Sequence, residues 1–236
     1  MFRFFLPNKI LHLPSKLLAN LISLLIVVSI IGIIYSIFIS PPDYIQGDSV
    51  RIMYIHVPSS LFGIFCFALM GVLSILNLIF KIKFLPLISK SIAPVGCIFS
   101  SISIVTGSIW GKPTWGTWWA WDARLTSMLI LFFFYIAFIL IWKLIDDYKK
   151  ANKISSIIAI LGLFNLPIIK YSVVWWTTLH QPSSITLTSA PSIHYTMLVP
   201  LIIMAVAMLI YLILIFLMRY KIELIKIKLN KKKYIK

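Results

Sequence analysis

The sequence predicts an all-α integral membrane protein with six transmembrane helices, both termini on the cytoplasmic (or matrix) side and a tryptophan-rich loop on the outer side. Three observations predict it. Of the 236 residues, 61% are hydrophobic and only 12% are charged, and the mean hydropathy is +1.00, whereas soluble domains carry about 25% charged residues. The apolar residues gather into six runs, at 17–39, 57–80, 84–110, 125–145, 154–176 and 196–218. Each is close to the roughly 20 residues that a helix needs to cross the hydrocarbon, and none alternates with the period of two that marks a membrane barrel. Finally, eighteen of the 22 Lys and Arg residues fall on the side that holds the termini and four on the other, a bias that places the termini inside.

Taken in order, the first run, 17–39, follows a basic tail with Arg3, Lys9, Lys16 and His12, and no small-residue cleavage pattern follows it, so a removed signal peptide is not expected. The second, 57–80, is entered through Tyr54-Ile55-His56-Val57-Pro58-Ser59. Pro58 suits a first helical turn, where its missing N–H leaves nothing unpaired, and His56 then sits at the outer interface. The third, 84–110, follows Lys81 and Lys83 on the inner side and leads into the segment 110–127, which carries Trp110, Trp115, Trp118, Trp119 and Trp121. The fourth, 125–145, ends at a basic inner loop with Lys143, Lys149, Lys150 and Lys153. The fifth, 154–176, contains Lys170, expected to snorkel outward, and runs into Trp175-Trp176-Thr177-Thr178-Leu179-His180-Gln181-Pro182, where Pro182 marks a helix already ended. His194 precedes the sixth, 196–218, and a basic tail to Lys236 closes the chain. No linker divides it, so residues 1–236 are read as one transmembrane domain.

Charge and cysteine content exclude other classes. A formal charge of +16 would suggest nucleic acid as the partner of a soluble protein. Here the charge lies in inner loops facing membrane lipid, and no nucleic-acid partner is expected. Cys66 and Cys97 each lie within an apolar run and form no C-x-x-C pair, which makes them small core residues rather than redox groups.

The outer face is where chemistry concentrates. Three of four histidines (His56, His180, His194) and seven of eight tryptophans lie there, with only Trp142 near the inner face. An interface belt would populate both sides of the membrane. Flat indoles suit a flat apolar ligand, imidazole is an axial ligand of haem iron, and Arg51, Lys112 or Arg124 could pair with propionate carboxylates. These residues suit a planar, anionic, metal-bearing ligand. Spacing alone leaves open whether His180 or His194 faces it. Asp122 has two readings, as an acid needing a partner group or as a loop anchor that pairs with Arg124 or accepts backbone N–H bonds.

The stretch Trp115-Gly116-Thr117-Trp118-Trp119-Ala120-Trp121-Asp122-Ala123-Arg124-Leu125-Thr126-Ser127 resembles the "WWD" signature of haem-handling membrane proteins. Its ending is similar to the cytochrome c maturation protein C (CcmC) family in particular, because CcmF and CcsA typically have Glu where Leu125 stands. His56-Val57-Pro58 and the motif around His180 resemble the same family, so the likeness runs from about residue 45 to 200. The resemblance implies that His56 and His180 are the axial ligands of a transiently held haem b. It implies a platform of Trp115, Gly116, Trp118, Trp119, Trp121 and Asp122, with Arg124 beside it. It also implies delivery to the haem chaperone CcmE and work alongside the ABC-type partners CcmA and CcmB and the small protein CcmD, in a bacterial inner membrane or, if organelle-encoded, the mitochondrial one. The family commonly has Asn at Thr177 or Thr178, a departure close to His180.

Two other readings compete. A membrane b-type cytochrome would hold its histidines within helices at bilayer depth, whereas these sit at helix ends on one surface. A cofactor-free permease would line a path with polar residues, and only Asn165 and Lys170 qualify. No G-x-x-x-x-G-K-[ST] loop occurs, so ATP hydrolysis is expected of a partner and no enzymatic activity of this chain.

Overall fold

The computed structural model describes residues 7–181, 184 and 190–233; Arg3 and Pro182 lie outside the described residues. Among the described residues eight α-helices follow one another: α1 (Pro7–Leu11), α2 (Ser15–Ile34), α3 (Met53–Phe80), α4 (Leu85–Trp115), α5 (Ala123–Leu144), α6 (Tyr148–Leu163), α7 (Asn165–Trp175) and α8 (Tyr195–Lys233). Six helical stretches among the described residues are long and apolar enough to cross a membrane: Ser15–Ile39, Asp48–Phe80, Leu85–Trp115, Ala123–Leu144, Tyr148–Trp175 and Tyr195–Leu229. They match the six apolar runs, and the protein is an all-α multi-pass membrane protein.

Element ends depart from the sequence reading for physical reasons. The second span starts earlier, with a 3-10 turn at Asp48–Ile52 running into α3, so His56 and Pro58 lie inside the helix rather than before or at its start. Pro58 falls in the second turn of α3, next to two serines that turn back onto the helix: Ser59 Oγ donates to the Ile55 carbonyl at 2.6 Å and Ser60 Oγ to that of His56 at 2.9 Å. The third span runs on to Trp115, where Gly116 adopts a left-handed conformation (φ 77°) that ends the helix. The fifth span is two helices meeting at Phe164. Directly after that junction Asn165 Nδ2 donates to the Ser127 carbonyl at 2.8 Å. Asn165 thus serves packing, not a polar path.

Packing places the site. α3 and α4 form the central pair, α5 leans on α4, and α6 and α7 cover α5, with α6 also against α3. α8 packs on the other side of α3 and α4 and carries α2 on its outer flank. The core holds Phe67, Phe99, Tyr135 and Phe138. Glycines let the central helices approach closely: a Cβ on Gly63 would lie 2.9 Å from Ser100 Oγ, and one on Gly96 would collide with the Tyr135 ring. Tyr135 in turn donates its hydroxyl to the Gly63 carbonyl at 2.6 Å, joining α5 to α3. At the basic end Glu223 of α8 is buried between Lys90 (2.7 Å) and Lys226 (2.9 Å). Cys66 is buried and Cys97 partly so, both free thiols.

Candidate functional site

The ends of α3, α4 and α5 that carry the tryptophans, together with α7 and the loop after it, enclose a cleft with about 880 Å³ of unfilled space, part of it open to the exterior. His56, Trp110, Trp115, Trp119, Arg124 and His180 line it, and Ile64, Ile104, Met128 and Ile169 make its inner end apolar. A pocket of mainly apolar wall with a few convergent polar groups is what a large planar ligand requires.

His56 enters from α3. Its Nδ1 lies 3.1 Å from Thr106 Oγ1 of α4, and the edge of the Trp110 ring stands against it with centroids 5.7 Å apart. Trp110 is itself held by Nε1 donating to Gln46 Oε1 at 2.9 Å. Gly107 faces the imidazole, since a Cβ there would come within 3.0 Å of His56 Cε1. His180 enters from the opposite side, on the loop that follows α7. Its Nδ1 lies 2.8 Å from the Gln181 carbonyl. A carbonyl only accepts, so Nδ1 carries the hydrogen and Nε2 keeps a free lone pair. Burial, followed by the nearby Arg124 guanidinium, pushes His180 down to about 4, so the ring is neutral and able to bind a metal at neutral pH.

The two imidazole centroids are 6.4 Å apart, with ring planes 33° to each other. Two imidazoles on one metal have centroids about 6 Å apart, from a metal–nitrogen bond of about 2 Å and about 1 Å from nitrogen to ring centre. The pair therefore has the spacing of two axial ligands with room for one iron between them.

Trp115 closes one wall, 6.2 Å from the His180 ring, and packs over Gly111, whose added Cβ would meet the indole at 2.9 Å. Beyond Gly116 the loop is fastened by Ser108 Oγ donating to the Trp118 carbonyl at 2.8 Å and Thr117 Oγ1 donating to that of Trp119 at 2.9 Å. Asp122 caps α5 by accepting from the Leu125 N–H at 2.8 Å. Its other oxygen accepts from the Leu179 N–H at 3.3 Å, tying the His180 loop to the tryptophan segment. Arg124 Nη1 and Trp119 Nε1 are buried donors with no hydrogen-bond partner among the described residues. Because both residues line the cleft, their donors suit the carboxylates of an anionic ligand.

Of the residues singled out from sequence, the cleft thus brings together His56, His180, Trp115, Trp119 and Arg124. Gly116 ends α4 and Asp122 anchors two loops. Trp118 and Trp121 are 57% and 77% exposed and stand outside the cleft. Lys112 donates to the Gly116 carbonyl, Arg51 pairs with Asp48, and exposed His194 bonds Thr196 away from the cleft. Sequence reasoning missed Gln46, Ser103, Thr106, Gly107 and Thr114. The available signal was the small and polar character of 103, 107, 111 and 114, which repeats at helical spacing along one face of α4.

Residues 1–235 match the family described as CcmC, Heme exporter protein C. The chain is 39% identical over 201 residues to the Heme exporter protein C of Bradyrhizobium diazoefficiens, covering 85% of this chain and 76% of that one. It is 43% identical over 196 residues to its counterpart in Haemophilus influenzae, covering 83% and 80%. A cytochrome c biosynthesis ccmC-like mitochondrial protein of Marchantia polymorpha is 45% identical over 170 residues, 72% of each chain.

Proposed function

The chain belongs to the haem exporter protein C (CcmC) family, a haem-handling component of cytochrome c maturation, and from that premise we propose that it holds haem b transiently in the outer cleft between His56 and His180. The observation that carries this reading is the pair of imidazoles 6.4 Å apart, each with Nδ1 engaged and Nε2 left to bind iron. Trp115 and Trp119 supply flat apolar walls, and Arg124 with Trp119 Nε1 supplies donors for a propionate. Gly116 and Asp122 act by shaping the platform.

Haem held in a cleft that opens partly to the exterior can be handed over, which supports delivery to the periplasmic chaperone CcmE. Exposed Trp118 and Trp121 beside the cleft offer an apolar surface for that exchange. CcmA and CcmB, with CcmD, would supply ATP hydrolysis and the rest of the complex. The charge bias supports a bacterial or mitochondrial inner membrane with the termini in the cytoplasm or matrix.

The test is the optical spectrum of the detergent-purified chain reconstituted with haemin. A bis-histidine Soret and α-band pattern is expected, weakened in both His56→Ala and His180→Ala and retained in His194→Ala. Loss of the pattern in His194→Ala alone would overturn the ligand assignment.

A further inference from the structure

We propose that Thr106 is a positioning residue for this site, its hydroxyl holding His56 in the tautomer that carries hydrogen on Nδ1 and so presenting Nε2 toward the cleft. The inference rests on the reading of His56 as an iron ligand and adds the group that fixes it.

A hydroxyl has one hydrogen and two lone pairs. Thr106 Oγ1 lies 2.6 Å from the Ile102 carbonyl and 3.3 Å from that of Ser103, both in its own helix and both able only to accept. Its single hydrogen is therefore directed into the backbone of α4, and the oxygen faces His56 Nδ1, 3.1 Å away, as an acceptor. The hydrogen of that contact must come from the ring. A threonine that turns its hydroxyl back onto its own helix is common. What distinguishes Thr106 is the imidazole of another helix placed on the remaining lone pair.

Two neighbours hold the ring in register. Gly107 leaves the space that Cε1 occupies, and Trp110 stands edge-on against the imidazole. The two histidines are thereby set in different ways. His180 uses the carbonyl of the next residue in its own loop, whereas His56 meets the Thr106 side chain of a second helix, with the Ser103 carbonyl of that helix beside it. Groups that orient a metal-bound histidine also raise its basicity, and their removal costs about 10–100-fold in metal affinity.

The experiment titrates haemin into the purified full chain carrying Thr106→Val, Thr106→Ala, Thr106→Ser or His56→Ala, and measures dissociation constant and midpoint potential. Val and Ala should each weaken haemin binding by about 10–100-fold and raise the potential, because an imidazole without an acceptor on Nδ1 donates less to ferric iron. Ser, which keeps the hydroxyl, should restore both values. The Ser–Ala contrast carries the test if Val disturbs the helix. Wild-type affinity and potential in the Ala variant, with ligation lost in His56→Ala, would overturn the role of Thr106 alone. An unchanged spectrum in His56→Ala would overturn the ligand reading and the role of Thr106 with it.

Discussion

Arg124 enters the cleft from the first turn of α5, and its Nη1 is buried without a hydrogen-bond partner among the described residues. A buried donor left unpaired is costly, and an anionic ligand relieves that cost. Arg124→Gln should therefore weaken haemin binding by about 10- to 100-fold, the equivalent of one charge-assisted hydrogen bond; an unchanged affinity in a haemin titration would place the carboxylates elsewhere. At this scale the sequence was informative wherever residue type is diagnostic. Histidines, indoles and an arginine on the outer side of a membrane protein are few, and each narrows the chemistry. Thr106 and Gln46 were not legible. A hydroxyl near the end of an apolar run looks the same whether it bonds its own helix or a neighbour's side chain, and an amide in a loop does not disclose which helix it will meet.

At the scale of elements, apolar runs and basic loops located every span, while the ends moved with local chemistry. Pro58 sits inside α3 because helical structure already begins with the 3-10 turn at Asp48–Ile52, and α4 continues through Trp115 because the residue able to end it, Gly116, lies one position further on. A single apolar run, 154–176, concealed a junction at Phe164, since hydropathy does not register a change in backbone hydrogen bonding such as the Phe164 N–H to Leu161 carbonyl bond. Asp122 joins elements that composition cannot connect, capping α5 while accepting from Leu179 N–H. Asp122→Ala should lower the unfolding free energy by about 1 kcal/mol through the lost cap. It should also speed haemin dissociation by loosening the His180 loop. A lower Tm in detergent with unaltered haemin release would limit Asp122 to capping.

The whole molecule is a helical bundle whose two ends differ in chemistry. One carries seven of the eight tryptophans and the His56–His180 pair, and the other carries most of the cations, including the Lys90–Glu223–Lys226 cluster that ties α4 to α8. The sidedness can be checked with thiols, since only Cys66 and Cys97 need replacing. In intact cells a membrane-impermeant maleimide should label Trp121→Cys and spare Lys149→Cys until the membrane is opened. The reverse pattern would invert the molecule. α2 shows most of its apolar surface to the surroundings and rests mainly on α8. The histidine pair proposed to hold haem, by contrast, draws on α3 and on the loop after α7, and Thr106 and Arg124 come from α4 and α5 between them. His56 and His180 are thus separated in the chain by four helices. A ribosome must synthesise all of them, and the membrane must receive them, before the second imidazole can meet the first. The nascent protein accordingly has no pair of facing imidazoles to offer until the loop after α7 has been made, about three quarters of the way along the chain.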